Sequence, residues 1–192
     1  MKKIILTAAA VFAFSFANAQ EAKSMGFAKG DFVATGSITT LSNDRFDELG
    51  NMFPGSTTTF APSVGYFVSD KISLSAGFAS ISDDNDGEKV KTSVFSLGAA
   101  YNFNAANQFS SRIGAGVGFG NTSDGDIDVK STTFRLGYGI SYFVSNHFAL
   151  SADLSAFEYT SAKADVEGAE AATSTSFGVN LSNITLGLAY KF

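Results

Sequence analysis

From Tyr66 to the C-terminus the chain alternates apolar side chains with small or polar ones in one segment after another. Successive side chains of an extended strand point to opposite faces, so strict alternation predicts strands with one apolar face and one small or polar face. The clearest segments are residues 72–78, 95–103, 112–120, 134–142 and 148–155, joined by weaker ones at 32–38 and 60–66 and by a last one at 184–192. The pattern predicts an all-β fold of eight antiparallel strands.

The connections between these segments alternate in length. Residues 68–71, 104–107 and 144–147 are tight turns, whereas residues 42–56, 82–91, 121–130 and 160–174 are longer and more polar. An eight-stranded up-and-down barrel needs three connections at one end and four at the other, with both chain termini at the three-connection end. The hairpin sequence at 66–76 also recurs in similar form at 142–152, two hairpins later. We therefore predict an eight-stranded antiparallel up-and-down β-barrel.

The N-terminus has the layout of a secretory signal peptide. Lys2 and Lys3 precede an apolar stretch over residues 4–16, and Ala17-Asn-Ala19 provides a small-x-small cleavage motif. The predicted organisation is a cleaved signal peptide at 1–19, a short periplasmic segment at 20–30 and the barrel domain at 31–192. Removal of the signal peptide leaves 11 of the 13 basic side chains against 18 acidic ones, so nucleic acid is not an expected partner. There is no cysteine, and stability must come from strand pairing and packing.

The composition of the two strand faces indicates which face is the lumen. The non-apolar face is mostly Gly, Ser, Ala and Thr, which suits a narrow interior and is too weakly charged for a solvated outer surface. A soluble barrel with an apolar interior is the alternative, and its outer face would need many charges. Aromatic residues bound the apolar face at both ends: Tyr66, Tyr101, Phe103, Tyr142, Tyr190 and Phe192 at the turn side, and Phe60, Phe78, Phe95, Phe119 and Phe134 at the loop side. Two such rings predict a transmembrane barrel whose apolar face contacts lipid.

These features together resemble the small bacterial outer-membrane β-barrel family, the porin-like and OmpA/OmpX-like eight-stranded proteins of Gram-negative bacteria. The resemblance rests on the signal peptide, the eight strands, hairpins of the form Gly65-Tyr-Phe-Val-Ser69 and the terminal Tyr190-Lys-Phe192. It implies a monomer in the cell outer membrane, surrounded by outer-membrane lipids and lipopolysaccharide, with termini and short turns periplasmic and long loops extracellular. It also implies insertion by the barrel-assembly machinery, which would read a terminal-strand signal at Leu186, Leu188, Tyr190 and Phe192. A shared fold does not fix one activity.

The predicted lumen face carries five charged residues: Asp31, Arg112, Arg135, Asp153 and Lys191. If the third tight turn pairs Tyr142 with Phe148, Arg135 lies opposite Ser155 and diagonal to Asp153, within reach of a long side chain. We expect an interior ion-pair network that plugs the barrel. The alternative is a selectivity constriction for small ions.

Neither a metal nor a cofactor is expected. Residues 83–88 and 124–128 are rich in carboxylates, but the spacing does not match an EF-hand, and we interpret them as solvated surface loops. A Ca²⁺ or Mg²⁺ site that bridges to lipopolysaccharide phosphates is the alternative. The glycines of residues 114–120 recur every second position, which is typical of a strand and not of a phosphate-binding loop.

Catalysis is also not expected. The single histidine, His147, lies in a predicted tight turn, where a surface role is the simpler interpretation. We therefore predict a structural or surface-interaction role with a largely side-chain-filled lumen. The alternative is a small porin-like pore for ions or small solutes, and an enzyme is a more remote third possibility.

Two irregularities interrupt the alternation. Pro62 lacks the N–H that a strand between two neighbours donates, so we expect a bulge near 61–63 or a position above the paired region. In the last strand the apolar parity changes at Ser182-Asn183, between Phe177 and Ile184. Either a bulge there resets the face, or residues 177–181 belong to the last loop.

Overall fold

The computed structural model describes residues 25–42, 45–46, 52–85, 88–123, 127–178 and 184–192. The predicted signal peptide therefore lies outside the described residues. The strands are β1 (Phe32–Ser42), β2 (Gly55–Phe67), β3 (Ile72–Asn85), β4 (Glu88–Phe103), β5 (Phe109–Ser123), β6 (Asp128–Phe143), β7 (Phe148–Ala164), β8 (Ala172–Phe177) and β9 (Thr185–Lys191). A two-residue ladder, Arg45–Phe46 with Met52–Phe53, lies between β1 and β2. Within the described ranges no helix is long and apolar enough to cross a membrane.

Every neighbouring pair of strands is antiparallel, and the sheet closes on itself. Strands β1 to β7 pair in chain order, and β8 and β9 both pair with β7, at its upper and lower parts. Together β8 and β9 occupy the eighth position of the wall. Closure comes from β9 and β1, which pair from Val33 opposite Lys191 to Gly36 opposite Leu188. The predicted eight-stranded up-and-down barrel is confirmed.

The wall strands extend well beyond the segments that the sequence predicts. The predicted long connection at 82–91 is mostly strand, because β3 continues to Asn85 and β4 begins at Glu88. Apolar alternation marks only the zone in which one face is apolar. Beyond that zone Ser, Thr, Lys and Asp continue the ladder without an apolar signal. We call the end of the barrel with the three tight connections the turn end, and the other the loop end.

The apolar face points outward, as predicted. Leu74, Leu97 and Phe119 expose 48%, 46% and 50% of their surface although they lie within paired strands. The described residues that form a buried hydrophobic cluster lie instead at the turn end: Phe27, Val33, Phe67, Ala105, Phe143, Ala149 and Ala189. The outer wall is thus apolar, and the buried apolar cluster of the described residues lies at one end of the interior.

Pro62 is accommodated without the predicted bulge and within the paired region. It pairs with Gly36 of β1 in a continuous ladder. On the side of β3 the ladder lapses at residues 61–62, between the pairs Phe60–Ser80 and Ser63–Gly77, and resumes in the same register. The missing N–H therefore causes a local gap in one ladder and leaves the register intact.

The parity change of the last strand has a counterpart on β7. Leu136 pairs with Phe157 and Gly137 with Ser155, so Ala156 is an extra residue, a β-bulge that switches the outward face of β7 from even to odd positions. On the other side of β7, Phe177 pairs with Phe157 and Thr185 pairs with Asp153. These two partners are eight residues apart in the chain after β7 but only four residues apart on β7 itself. Phe177 belongs to a strand, and the predicted bulge at Ser182-Asn183 lies outside the described residues.

Candidate functional site

The lumen contains a cavity of about 720 Å³ that is lined mainly by Gly, Ser, Ala and Thr. These small residues follow from the close approach of neighbouring strands. A Cβ on Gly98 would lie 2.8 Å from the Ser75 hydroxyl, and one on Gly116 would lie 3.1 Å from the Leu97 carbonyl oxygen. Larger side chains at these positions would close the cavity. The larger polar groups that reach into it are two arginines and their carboxylate partners.

The first lumen pair joins β5 to β7. Arg112 donates from Nη2 to both oxygens of Asp153, at 2.6 and 2.7 Å, and from Nη1 to the Ser141 hydroxyl at 2.9 Å. Gly139 faces Arg112 in the ladder, and a Cβ there would lie 2.8 Å from the guanidinium carbon. The arginine therefore lies flat across β6 and depends on the missing side chain of Gly139 to reach Asp153.

The second lumen pair lies nearer the loop end. The Nε and Nη2 atoms of Arg135 both lie 2.7 Å from Oε2 of Glu158. The predicted position of Arg135 opposite Ser155 is wrong. The hairpin pairs Tyr142 with Leu150 instead of Phe148, which shifts the partner by two residues, and the bulge at Ala156 adds one more. Asp153 therefore pairs with Arg112, and Arg135 pairs with Glu158.

Glu158 is the lumen charge that sequence reasoning missed. On β7 the apolar residues 148, 150, 152 and 154 are even-numbered, and continued alternation would place residue 158 on the lipid-facing side. The bulge turns it inward to Arg135. A signal was present in the sequence, because Phe157 and Tyr159 are odd-numbered aromatic residues that follow an even apolar series. This change of parity predicts a bulge between Leu154 and Phe157, and with it the inward position of Glu158.

Residues 25–31 form a plug across the turn end, which we call the turn-end plug. The Phe27 N–H donates to the Ala105 carbonyl at 2.6 Å, and the Gly30 N–H donates to the Phe67 carbonyl at 2.8 Å. The Phe27 ring stacks on Phe67 and meets Phe143 edge-on, each with ring centroids 4.7 Å apart. All three rings are at most 5% exposed. The barrel is thus filled by aromatic packing at this end.

Two of the predicted lumen charges hold the plug in place. Asp31 and Lys191 are buried, with Nζ of Lys191 3.9 Å from Oδ2 of Asp31. Lys191 also donates to the Gly26 carbonyl and lies 5.2 Å from the centre of the Phe143 ring, while Asp31 accepts from the Ala28 N–H at 2.8 Å. Buried charges are tolerated only when paired and hydrogen-bonded in this way. Among the described residues, the predicted lumen charges therefore form pairs at three levels, with Glu158 as the sixth member.

The residues of the predicted terminal-strand signal lie on the outer wall at the closing seam. Leu186 and Leu188 are strongly exposed, and the Tyr190 ring lies 4.8 Å from Phe192 and 4.9 Å from Phe148. The Phe192 N–H donates to the Phe32 carbonyl at 2.9 Å. His147 lies at the other edge of β9, next to β7, with Nδ1 2.8 Å from the Lys191 carbonyl oxygen and its ring stacked on Tyr190.

The described part of the acidic loops forms pairs with neighbouring side chains. Asp83 accepts from the Thr57 hydroxyl, Lys89 lies 3.4 Å from Asp84, and Lys130 lies 2.6 Å from Asp165. Within the described ranges, no group of three or more His, Cys, Asp or Glu side chains could hold a metal ion. Asp86, Asp124 and Asp126 lie outside those ranges.

The Lys130–Asp165 pair is exposed at the loop end and affects the ionisation of both groups. The hydrogen bond from Lys130, with the attraction of its charge, lowers the pKa of Asp165. The same contact raises the pKa of Lys130. Both groups therefore remain charged over the neutral range.

Solved structures share this architecture. The neisserial surface protein A is 16% identical, with 86% of this chain and 99% of that chain covered and a TM-score of 0.56. For OprG of Pseudomonas aeruginosa the identity is 16%, the coverage 88% and 99%, and the TM-score 0.54. The N-terminal β-barrel domain of OprF from the same organism is 16% identical, with 86% of this chain and 100% of that chain covered and a TM-score of 0.53. At this identity they show the fold alone, and no curated protein sequence matches the chain at a significant level.

A family model described as the outer membrane protein β-barrel domain matches residues 6–192, nearly the whole chain. This match confirms the resemblance that the strands and the terminal motif predict. The chain belongs to the outer membrane protein β-barrel domain family, and its location is the outer membrane.

Proposed function

We propose that this protein is a non-conducting barrel with a structural or surface-interaction role, which holds its longer connections at the cell surface. The observation that carries the proposal is the turn-end plug. Phe27, Phe67 and Phe143 fill the interior at that end, and the buried Asp31–Lys191 pair fixes the segment that carries Phe27. A water path along the axis would have to displace this layer. The cavity above it is a dead end that faces the loops.

The proposed orientation places the turn end and both termini in the periplasm and the loop end outside the cell. It is supported by the strand count and by the position of Phe192 at the turn end, where it closes the seam with Phe32. An epitope inserted at residues 167–169 should be accessible to antibody on intact cells. The same epitope inserted at residues 105–107 should be accessible only after the outer membrane is permeabilised, and the reverse result would contradict the orientation.

Conductance of the purified full chain in planar lipid bilayers tests the plug. We expect no reproducible single-channel steps for the wild-type protein. Phe27→Gly, which removes the ring that spans Phe67 and Phe143, should give measurable conductance because the aromatic layer is lost. Both proteins must show the heat-modifiable electrophoretic shift of a folded barrel. Large, reproducible steps from the wild-type protein would overturn the proposal.

A small pore is the second candidate, and the cavity of about 720 Å³ is the observation that favours it. The cavity wall carries Arg112–Asp153 and Arg135–Glu158, which would act as a constriction for ions if the plug moved aside. In that case conductance should depend on the lumen charges. If the barrel is a pore, Glu158→Gln should shift its ion selectivity toward anions. If the barrel is sealed, the same variant should show no conductance.

We also propose that the protein is not an enzyme and that it is a monomer inserted by the barrel-assembly machinery. The support for the first point is that the ring of His147 is engaged where β7 meets β9, with Nδ1 2.8 Å from the Lys191 carbonyl oxygen and the ring stacked on Tyr190. His147→Gln should leave lipid composition unchanged in cells that produce the protein. Light scattering of the detergent-solubilised protein, corrected for bound detergent, should give the mass of one chain.

A further inference from the structure

An aromatic residue, a hydroxyl residue and a lysine recur in this order on the outer face of three strands. Each step is two residues toward the loop end, so the three side chains point outward in line. The sets are Phe95, Ser93 and Lys91 on β4; Phe134, Thr132 and Lys130 on β6; and Tyr159, Ser161 and Lys163 on β7. All three lysines are exposed. We call them the outer lysine row.

The row occupies one sector of the wall. Lys130 pairs directly with Lys163 across β6 and β7, and on β5, between β4 and β6, Asn121 faces Lys130 while Ser123 faces Lys91. The corresponding positions on β2, β3 and β5 are Ser56, Ser82 and Ser123, beyond the aromatic residues Phe60, Phe78 and Phe119. Among the positions compared, the basic residues are those on β4, β6 and β7.

Two lysines of the row have no ion-pair partner among the described residues. Lys91 and Lys163 make no salt bridge within those ranges, whereas Lys130 is bonded to Asp165. Like charges directly opposite each other on one sheet face are destabilising, as Lys130 and Lys163 are here. Asp165, which is bonded to Lys130 and attracted by the charge of Lys163, offsets part of that cost, and a further negative group beside Lys163 would offset more.

Along the strands of this sector, the acidic residues come farther from the apolar wall than the lysines do. Asp128 and Asp165 follow two residues beyond Lys130 and Lys163, which is a further step of about 7 Å along the strand. Lys89 and Asp84, beyond Lys91, pair with each other. From the apolar wall outward the order is aromatic, hydroxyl, basic and then acidic. Of the two charged layers, the basic one is therefore nearer the membrane.

We propose that the outer lysine row binds the phosphate groups of anionic lipids in the surrounding leaflet. Aromatic residues of membrane barrels lie at the membrane interface. Four residues along a strand tilted by roughly 40° place each lysine Cα about 10 Å beyond its aromatic residue, and the flexible lysine chain can bend back toward the headgroups. The inference rests on the proposed function only in assuming that this wall is surrounded by lipid.

The test compares lipid selectivity of the folded protein in bilayers of phosphatidylcholine. Spin-labelled phosphatidylglycerol and spin-labelled phosphatidylcholine report, by electron spin resonance, the fraction of each lipid that is immobilised at the protein surface. We expect the wild-type chain to immobilise phosphatidylglycerol preferentially, and the preference to decrease with added salt. In K91Q/K163Q the affinity of the selective positions should fall by about fivefold for each lysine removed. That variant breaks no ion pair of the described residues.

Two controls separate the row from general charge effects. K91R/K163R keeps the charge at both positions and should retain the preference, whereas Lys71→Gln removes an exposed lysine at the turn end and should change it little. An unchanged preference in K91Q/K163Q would overturn the proposal. The heat-modifiable shift of every sample reports whether the barrel is folded in the bilayer, so a failure of membrane placement is distinguished from a failure of lipid selection.

Discussion

Arg112 lies flat against Gly139, and a Cβ built on that glycine would stand 2.7 Å from Nε and 2.8 Å from Cζ of the guanidinium group. The absence of a side chain at Gly139 leaves the space that the guanidinium group of Arg112 needs to reach Asp153. We predict that Gly139→Ala displaces the guanidinium group, weakens its bidentate contact and lowers the free energy of unfolding by about 1–3 kcal/mol, the usual range for overpacking. Urea unfolding of the barrel in lipid vesicles, followed by tyrosine fluorescence, measures this change.

Gly36→Ala is the matched control for that substitution. Gly36 lies in a wall strand and lines the same cavity, but a Cβ there has no heavy atom within 4 Å. It should leave the free energy of unfolding almost unchanged. Equal effects of the two substitutions would mean that loss of glycine in a strand, and not the contact with Arg112, determines the result.

The Arg112–Asp153 contact itself can be measured with a double-mutant cycle. Arg112→Met and Asp153→Asn should each destabilise the barrel, and the coupling energy between them should be about 1–2 kcal/mol. That range lies between values for exposed and buried pairs, because the side chains are 24% and 49% exposed in the lumen. The cycle uses the same urea unfolding assay. A coupling energy near zero would show that the pair adds no stability to the lumen.

The same pair shows what the sequence could predict. Alternation predicts that Arg112, Arg135 and Asp153 share the lumen, because period two depends only on local geometry. Partner identity depends on register, and the β6–β7 register departs from the predicted one in two ways: the hairpin pairs Tyr142 with Leu150 instead of Phe148, and the bulge at Ala156 shifts the pairing by one more residue. A shift of one residue moves a side chain to the other face. Glu158 was missed for this reason, and so was its pairing with Arg135.

The turn-end plug was missed for a different reason. Residues 25–31 show no alternation, and their structure depends on tertiary contacts with Phe67, Ala105 and Phe143. Asp31 and Lys191 are predicted as lumen charges and are buried at this end, but nothing local indicates that they hold a separate segment. A short segment that folds against the mouth of a barrel leaves little signal in its own residues.

The ring of Phe27 should hold this plug in place. We predict that Phe27→Ala releases residues 25–31 while the barrel remains folded, because the substitution removes a buried ring that contacts two others. Hydrogen exchange at the Phe27 position measures the release, since this N–H is bonded to the Ala105 carbonyl. Met25→Ala, at a 39% exposed position, is the control and should not accelerate exchange. Full protection in Phe27→Ala would contradict the role of the ring.

The exposed Lys130–Asp165 pair should depend on pH in a defined direction. Because its pKa in the folded state is lowered, Asp165 contributes stability that is present above its unfolded value, near 3.8, and is lost as the pH falls through the folded value. Titration of the Asp165 carboxyl by NMR measures the shift. In Lys130→Gln the pKa of Asp165 should return toward 3.8, and an unchanged value would exclude Lys130 as its cause.

Closure of the barrel should depend on Phe192. In the part of the chain that the structure describes, strands β1 and β9 pair from Val33–Lys191 to Gly36–Leu188, and the bond from the Phe192 N–H to the Phe32 carbonyl extends this short seam. Deletion of Phe192 removes that bond and the ring that packs on Tyr190. We predict less heat-modifiable barrel in the outer membrane and accumulation of exported, unassembled chain. Phe192→Tyr keeps both contacts and should assemble normally. Wild-type amounts of assembled barrel after the deletion would show that closure is secured by the remaining pairs and by Lys191, whose contacts with Gly26 and Asp31 hold the plug against the same strand.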